Sequence, residues 1–128
     1  MYVLNDLLNE TIEKEASDLH LTVGFPPTIR VNGSLIKLGT EKLSPNALRD
    51  FAKEILGDNF ELYEKIGEMD TSYSISGTGR FRVNIFKQRN SDAIAVRVIA
   101  LKIPTLDELK HPKVIKNIIN KQRGLVLV

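Results

Sequence analysis

Residues 71–100 read TSYSISGTGRFRVNIFKQRNSDAIAVRVIA. Phe81, Val83 and Ile85 alternate with Arg80, Arg82 and Asn84, and Ile94, Val96 and Val98 alternate with Ala95 and Arg97. A period of two sends successive side chains to opposite faces of a strand. Three strands are therefore expected, over 71–76, 80–89 and 93–100. Gly77-Thr78-Gly79 turns the first into the second, and Asn90-Ser91 turns the second into the third. The product is an antiparallel meander with one apolar and one cationic face. With Asn90-Ser91 as the two-residue turn, Arg97 falls opposite Asn84 and Arg82 opposite Ile99. The two arginines then share the polar face as diagonal neighbours, about 5–8 Å apart.

Two guanidiniums this close repel unless an anion or carboxylates lie between them, and the planar guanidinium fork suits phosphate. The plainer alternative is a pair of surface arginines satisfied by acidic helix residues such as Glu61 or Glu64. Spacing alone leaves both readings open.

Working outward toward the N-terminus, Leu4, Leu7, Leu8, Ile12 and Ala16 form one stripe and predict a helix over 4–16. Ser17-Asp18 ends it. Leu19, Leu21 and Val23 alternate with Asp18, His20 and Thr22, the pattern of a half-buried strand. After the loop Gly24-Phe25-Pro26-Pro27, strands over 28–31 and 35–38 flank Asn32-Gly33, a strong hairpin signal. Ser44 caps a helix with Pro45 at its first position, running to Gly57. A short helix over 59–66 follows, with Phe60, Tyr63 and Ile66 turned inward.

Working outward toward the C-terminus, Thr105-Leu106-Asp107-Glu108 has capping-box spacing and predicts a short helix. His111-Pro112 interrupts. Val114, Ile115, Ile118 and Ile119 mark another helix, ended near Gly124. Leu125-Val126-Leu127-Val128 reads as a strand buried on both faces, of the parallel-sheet kind. Such a strand needs neighbours and an onward loop, so further chain is expected after it. The fold class is α+β up to about residue 100, with an antiparallel sheet and flanking helices. Residues 101–112 are a linker, and a domain of parallel character starts near 113.

The chain has 128 residues, 42% of them apolar and 27% charged, which is ordinary globular material. A formal charge of +2 does not by itself argue for nucleic acid or membrane. The distribution is more telling: residues 41–70 are acidic, whereas 80–98 and 102–123 are basic. The plain reading is two solvated faces. With no cysteine, a disulfide, a redox dithiol and a Cys-type zinc site are excluded. No signal peptide or membrane-length apolar run is present, so a cytoplasmic location is expected. Nucleic-acid binding by the meander is disfavoured because Phe81 faces the core and Phe86 alone projects outward.

Other candidates are weaker. Asp18 and His20 share a strand face and could act as an acid–base pair or metal ligands. A turn-anchoring Asp beside a half-buried His is the plainer account, and no third ligand is suggested. Gly77-Thr78-Gly79 is not followed by a helix or a Gly-Lys-Ser/Thr run, so it fails as a phosphate loop. Phe25-Pro26-Pro27 could be an exposed partner patch or a plug for the sheet edge.

Several stretches taken in order resemble a known family. Ala16-Ser17-Asp18-Leu19-His20-Leu21, then Pro26-Pro27 and Ile29-Arg30-Val31-Asn32-Gly33, are similar to the N-terminal part of PilT-like pilus retraction (twitching motility) ATPases of the type II/IV secretion superfamily. So are Gly77-Thr78-Gly79-Arg80-Phe81-Arg82-Val83-Asn84-Ile85-Phe86, Arg97-Val98-Ile99, Ile103-Pro104 and Arg123-Gly124-Leu125-Val126-Leu127-Val128. The resemblance implies a PAS-like domain over 1–100, the linker 101–112, and over 113–128 the first helix and strand of a truncated RecA-like core. It implies a homo-hexameric motor using ATP and Mg2+, at the inner face of the cell membrane beside the pilus platform. Arg82 and Arg97, with Arg80 next, match the positions that reach the ATP phosphates, as an arginine finger does. The Walker A loop would begin after Val128. No catalytic or metal-binding residue, and no measurable ATP affinity, is therefore expected of these 128 residues alone. A monomer and a swapped dimer are both compatible with the sequence. The alternatives are a free-standing PAS-like sensor or interaction module, and the matching domain of a pilus-extension or type II secretion ATPase.

Overall fold

A computed structural model describes residues 1–100 and 102–127. Helix α1 covers Leu4–Glu13, strand β1 Asp18–Leu21, β2 Thr28–Val31 and β3 Ser34–Lys37. Helix α2 covers Pro45–Leu56, a 3-10 turn spans Gly57–Asn59, and α3 covers Phe60–Ile66. Strands β4 Glu68–Ile75, β5 Gly79–Gln88 and β6 Ser91–Ile99 follow, then the short helix α4 Val114–Ile118.

The strands form one six-stranded sheet in the order β3-β2-β1-β6-β5-β4, with every neighbouring pair antiparallel. This is the α+β class with an antiparallel sheet expected from the alternation. Leu19, Leu21, Ile29, Phe81, Val83, Ile85, Ile94 and Val96 are buried on one face. Leu4, Leu7 and Leu8 of α1, Leu48, Phe51 and Ala52 of α2, and Tyr63 of α3 join them in a single apolar cluster. Burying this area is the main favourable contribution to folding. Among the described residues no helix covers the opposite face of the sheet, whose centre carries Asp18, Asp70, Arg82, Asn84 and Arg97.

Local chemistry explains most boundaries. Ser44 Oγ accepts from Ala47 N at 3.2 Å, and Pro45 opens α2. Helix α1 stops three residues short of expectation. Glu15 is left-handed (φ 53°), Ala16 N bonds Thr11 O at 3.0 Å, and Glu15 N bonds Ile12 O at 2.9 Å. This is a Schellman stop, which takes Ala16 out of the helix yet leaves it buried. The glycines of the β4–β5 turn have different duties: Gly77 supplies φ 76°, whereas a Cβ on Gly79 would meet Ile12 Cδ1 at 2.9 Å. Strand β1 ends at Leu21, so Val23 lies beyond it, and Ile66 is 62% exposed rather than inward.

The β5–β6 turn corrects the expected register. Gln88 pairs with Ser91, so the turn is Arg89-Asn90, both left-handed (φ 50° and 62°). A two-residue hairpin whose twist matches its strands needs φ > 0 at both central positions, and Asn90 is a residue that accepts it. Strand β6 consequently starts at Ser91 instead of residue 93.

Beyond β6 the expectations hold less well. The Thr105 capping box forms: Thr105 N bonds Glu108 Oε2 at 2.7 Å and Glu108 N bonds Thr105 Oγ1 at 3.3 Å. No helix follows, because Lys110 turns left-handed (φ 55°) and Pro112 comes next. Residues 125–127 form no strand. The expected last strand position, Val128, and the expected first linker residue, Leu101, lie outside the described residues. Every member of the apolar cluster and its partly buried fringe lies between Tyr2 and Val98. Among the described residues no helix is long and apolar enough to cross a membrane.

Candidate functional site

The site is the helix-free face of the sheet. Alternation along β5 sends Arg80, Arg82 and Asn84 to this face, and alternation along β6 sends Ala95 and Arg97 there. In the observed register Arg82 lies directly opposite Arg97, closer than the diagonal placement expected. Arg80 lies opposite Ile99 on one side and Ser74 on the other. All three predicted arginines thus share one face, and the pair at its centre is in direct cross-strand register.

Carboxylates answer the charge, but not those of the helices. Glu61 and Glu64 cannot serve, since α3 packs on the other side of the sheet, and Glu64 pairs with Arg49 at 2.6 Å. Asp70 on β4 receives Arg82 at both Nε (3.3 Å) and a terminal nitrogen (2.7 Å). Asp18 on β1 receives Arg97 Nε at 3.3 Å and the Ser17 hydroxyl at 2.7 Å, and Arg30 Nε stands 3.7 Å away. Glu68 accepts from Asn84 Nδ2 at 3.1 Å. Arg82 and Arg97 remain 66% and 72% exposed. Among the described residues Arg80 makes no ion pair.

The titration of these groups follows their contacts. Partial burial works to raise the Asp18 pKa, but the bonds from Ser17 and Arg97 outweigh it, and the carboxyl titrates below its ordinary value. The hydrogen bond from Arg82 holds Asp70 below its ordinary value too. At neutral pH both carboxylates are charged and both arginines are engaged.

A shallow hollow over β1, β6, β5 and β4 is lined by Asp18, His20, Glu68, Asp70, Arg82 and Arg97. His20 belongs to this face, opposite Ala95, and its Nε2 is buried without a hydrogen-bond partner among the described residues. Among the described residues no group of three acidic or His side chains is placed to hold a metal ion. Asp18 is engaged by Arg97, Ser17 and, at longer range, Arg30. His111 is exposed and takes no part. Pro26 and Pro27 are buried while Phe25 is 61% exposed. The prolines are thus packed inward, and the phenylalanine rims a second hollow with Leu35.

Asp70 and Asp18 are the site residues that sequence reasoning did not single out as arginine partners. A usable signal existed for Asp70. Once β4 pairs with β5, it lies opposite Asn84 and diagonal to Arg82. Asp18 carried no such signal, because the β1–β6 pairing joins distant parts of the chain.

No family model matches the chain. It is 37% identical over 122 residues to the type IV pilus ATPase PilU of Pseudomonas aeruginosa, a match covering 94% of this chain and 32% of PilU. It is 35% identical over 126 residues to the type IV pilus retraction ATPase PilT of the same bacterium, covering 98% of this chain and 37% of PilT. The crystal structure of the pilus retraction motor PilT with bound ADP superposes with a TM-score of 0.79 at 30% identity, over 94% of this chain and 36% of that one. The Legionella pneumophila ATPase DotB gives a TM-score of 0.79 at 27% identity, over 94% and 35%. The chain spans about a third of the length of the curated relatives it matches. Sequence and fold agree across nearly all of it, and the chain matches the N-terminal domain of PilT-like ATPases of the type II/IV secretion superfamily.

Proposed function

We propose that this chain is the N-terminal, PAS-like domain of a hexameric pilus-retraction motor ATPase, and that its open sheet face lends arginines to ATP held on a neighbouring subunit. Residues 1–100 make the domain, 101–112 link it, and 113–128 lead into a RecA-like core. The observation that carries the reading is the direct pairing of Arg82 with Arg97 on an uncovered face. Two guanidiniums in register, each with N–H groups unused among the described residues, fit the phosphate end of a nucleotide by charge and by donor geometry. Arg80 extends the same row by one pair. That a PilT relative was solved with ADP supports nucleotide as the ligand class.

When bound, Mg2+–ATP supplies the transferable phosphoryl group. This chain's residues contribute positive charge where negative charge spreads over the equatorial oxygens. Closing the face on nucleotide and releasing it after hydrolysis would turn the domain against the core. The motor would work in the cytoplasm, at the inner face of the membrane against the pilus platform.

The test is Arg82→Ala/Arg97→Ala in the full-length motor. Arginine fingers are worth roughly 1,000-fold or more in turnover, so steady-state ATPase should fall by at least about 100-fold with the hexamer intact. Wild-type turnover in the double variant would sink the arginine role.

A further inference from the structure

Asp18 and Asp70 hold the two arginines in different ways. Asp18 is 16% exposed on central strand β1, and it engages Arg97 through Nε alone. Both terminal nitrogens of Arg97 are left without a partner among the described residues. Asp70 is 49% exposed on edge strand β4, and it takes Nε and a terminal nitrogen of Arg82 together. That is one of the two edges by which a guanidinium grips a phosphate in bidentate fashion, and a carboxylate and a phosphate cannot occupy it at once.

We propose a division of labour: Asp18 is a positioning residue that presents Arg97 to a polyphosphate anion, and Asp70 is a latch that occupies Arg82 until that anion displaces it. The inference rests on the phosphate reading of this face. It adds an order of events, with Arg97 meeting the anion first and Arg82 joining once it leaves Asp70. It also assigns the two carboxylates opposite effects on anion binding.

That opposition makes the proposal testable. Asp18, Asp70 and Glu68 share one face, and neutralising any of them removes one negative charge. Screened electrostatics alone would then favour an anion in all three cases, by about 2-fold each. Glu68 bonds Asn84 rather than an arginine, so it measures that charge effect by itself.

The experiment titrates inorganic tripolyphosphate into the isotopically labelled 128-residue chain at low salt, following the Arg82 and Arg97 side-chain N–H resonances. Two exposed guanidiniums hold such an anion with a Kd on the order of millimolar, well short of a nucleotide site. Asp70→Asn should tighten binding about 5-fold, Glu68→Gln no more than about 2-fold, and Asp18→Asn should weaken it about 3-fold. Before any anion is added, the Arg82 Nε–H should exchange faster with water in Asp70→Asn alone, and the Arg97 Nε–H in Asp18→Asn alone. Should Asp18→Asn fail to fold, Arg97→Lys carries the same arm: it keeps the charge, lacks the Nε–H that Asp18 holds, and should weaken binding similarly. Equal tightening in all three carboxylate variants overturns the division of labour and leaves the phosphate reading standing. No response of either guanidinium in any variant overturns the phosphate reading itself.

Discussion

Asp92 sits on the helix-covered face of the sheet, 4% exposed, where an unpaired carboxylate would cost several kcal/mol. It accepts from the Tyr63 hydroxyl at 2.6 Å and from Lys87 Nζ at 2.5 Å, and Lys87 also lies 5.1 Å above the Tyr63 ring. Burial works to raise the Asp92 pKa, but Lys87 and Tyr63 outweigh it and hold it below the ordinary value. Burial and the nearby Asp92 carboxylate push the Tyr63 phenol up. Asp92→Asn leaves Lys87 half-buried without its counter-charge, and should cost about 2–3 kcal/mol in urea denaturation. The pH dependence has a definite sign. Asp18, Asp70 and Asp92 all titrate lower in the folded chain than in the unfolded one. Their contribution is complete above the unfolded carboxylate value and is lost as pH falls through the lower folded values. Urea stability should therefore be flat above about pH 5 and fall below about pH 4, less steeply in Asp92→Asn. As the single acid in a basic stretch Asp92 was conspicuous in the sequence, yet its partners were not. Tyr63 comes from a helix whose docking site no spacing rule specifies.

The β5–β6 hairpin shows what was legible at the level of elements and where legibility stopped. Alternation of Phe81, Val83 and Ile85 with Arg80, Arg82 and Asn84 identified the strands and the polar face. The turn was misplaced by one residue, because a positively charged Arg89 gives no left-handed signal of its own. The error moved Arg97 from its true partner Arg82 to Asn84, but both arginines stayed on one face, since the pairing changed by two positions. An arginine at φ 50° is strained, because it lacks the short polar side chain by which Asn or Asp offsets the left-handed conformation. Arg89→Gly should relieve that strain and stabilise the chain by about 0.5–1 kcal/mol, raising the urea midpoint without changing the m-value. An unchanged or lower midpoint would show that Arg89 contributes more by contact than it costs by conformation. At Asn32-Gly33 (φ 48° and 83°) both turn residues suit the conformation, and that hairpin was placed correctly from sequence.

At the level of the whole molecule, the sequence indicated the class and the order of elements but not the strand order. Hairpins follow from neighbours in sequence. The join between β1 and β6 follows only from burying Leu19 and Leu21 beside Ile94 and Val96, and no local pattern encodes that. The same limit hid Asp18 as the anchor of Arg97. Because the apolar cluster closes within Tyr2–Val98, removing residues 101–128 should leave the domain folded, its Tm within about 3 °C of the full chain. A collapse of cooperative melting would show that the tail completes the core.

The strand order also has a kinetic meaning. The sheet consists of two three-stranded halves, β3-β2-β1 and β6-β5-β4, each built from strands adjacent in sequence and joined to the other along one seam. Each half can zip locally, but the seam unites residues as far apart as Asp18 and Arg97, 79 positions along the chain. Its closure carries most of the loop entropy of the fold and belongs late on the path to the native state. Until then both halves expose an unpaired central edge, β1 on one and β6 on the other. During synthesis, the N-terminal half must wait with that edge open for a partner strand that is among the last of the domain to be made.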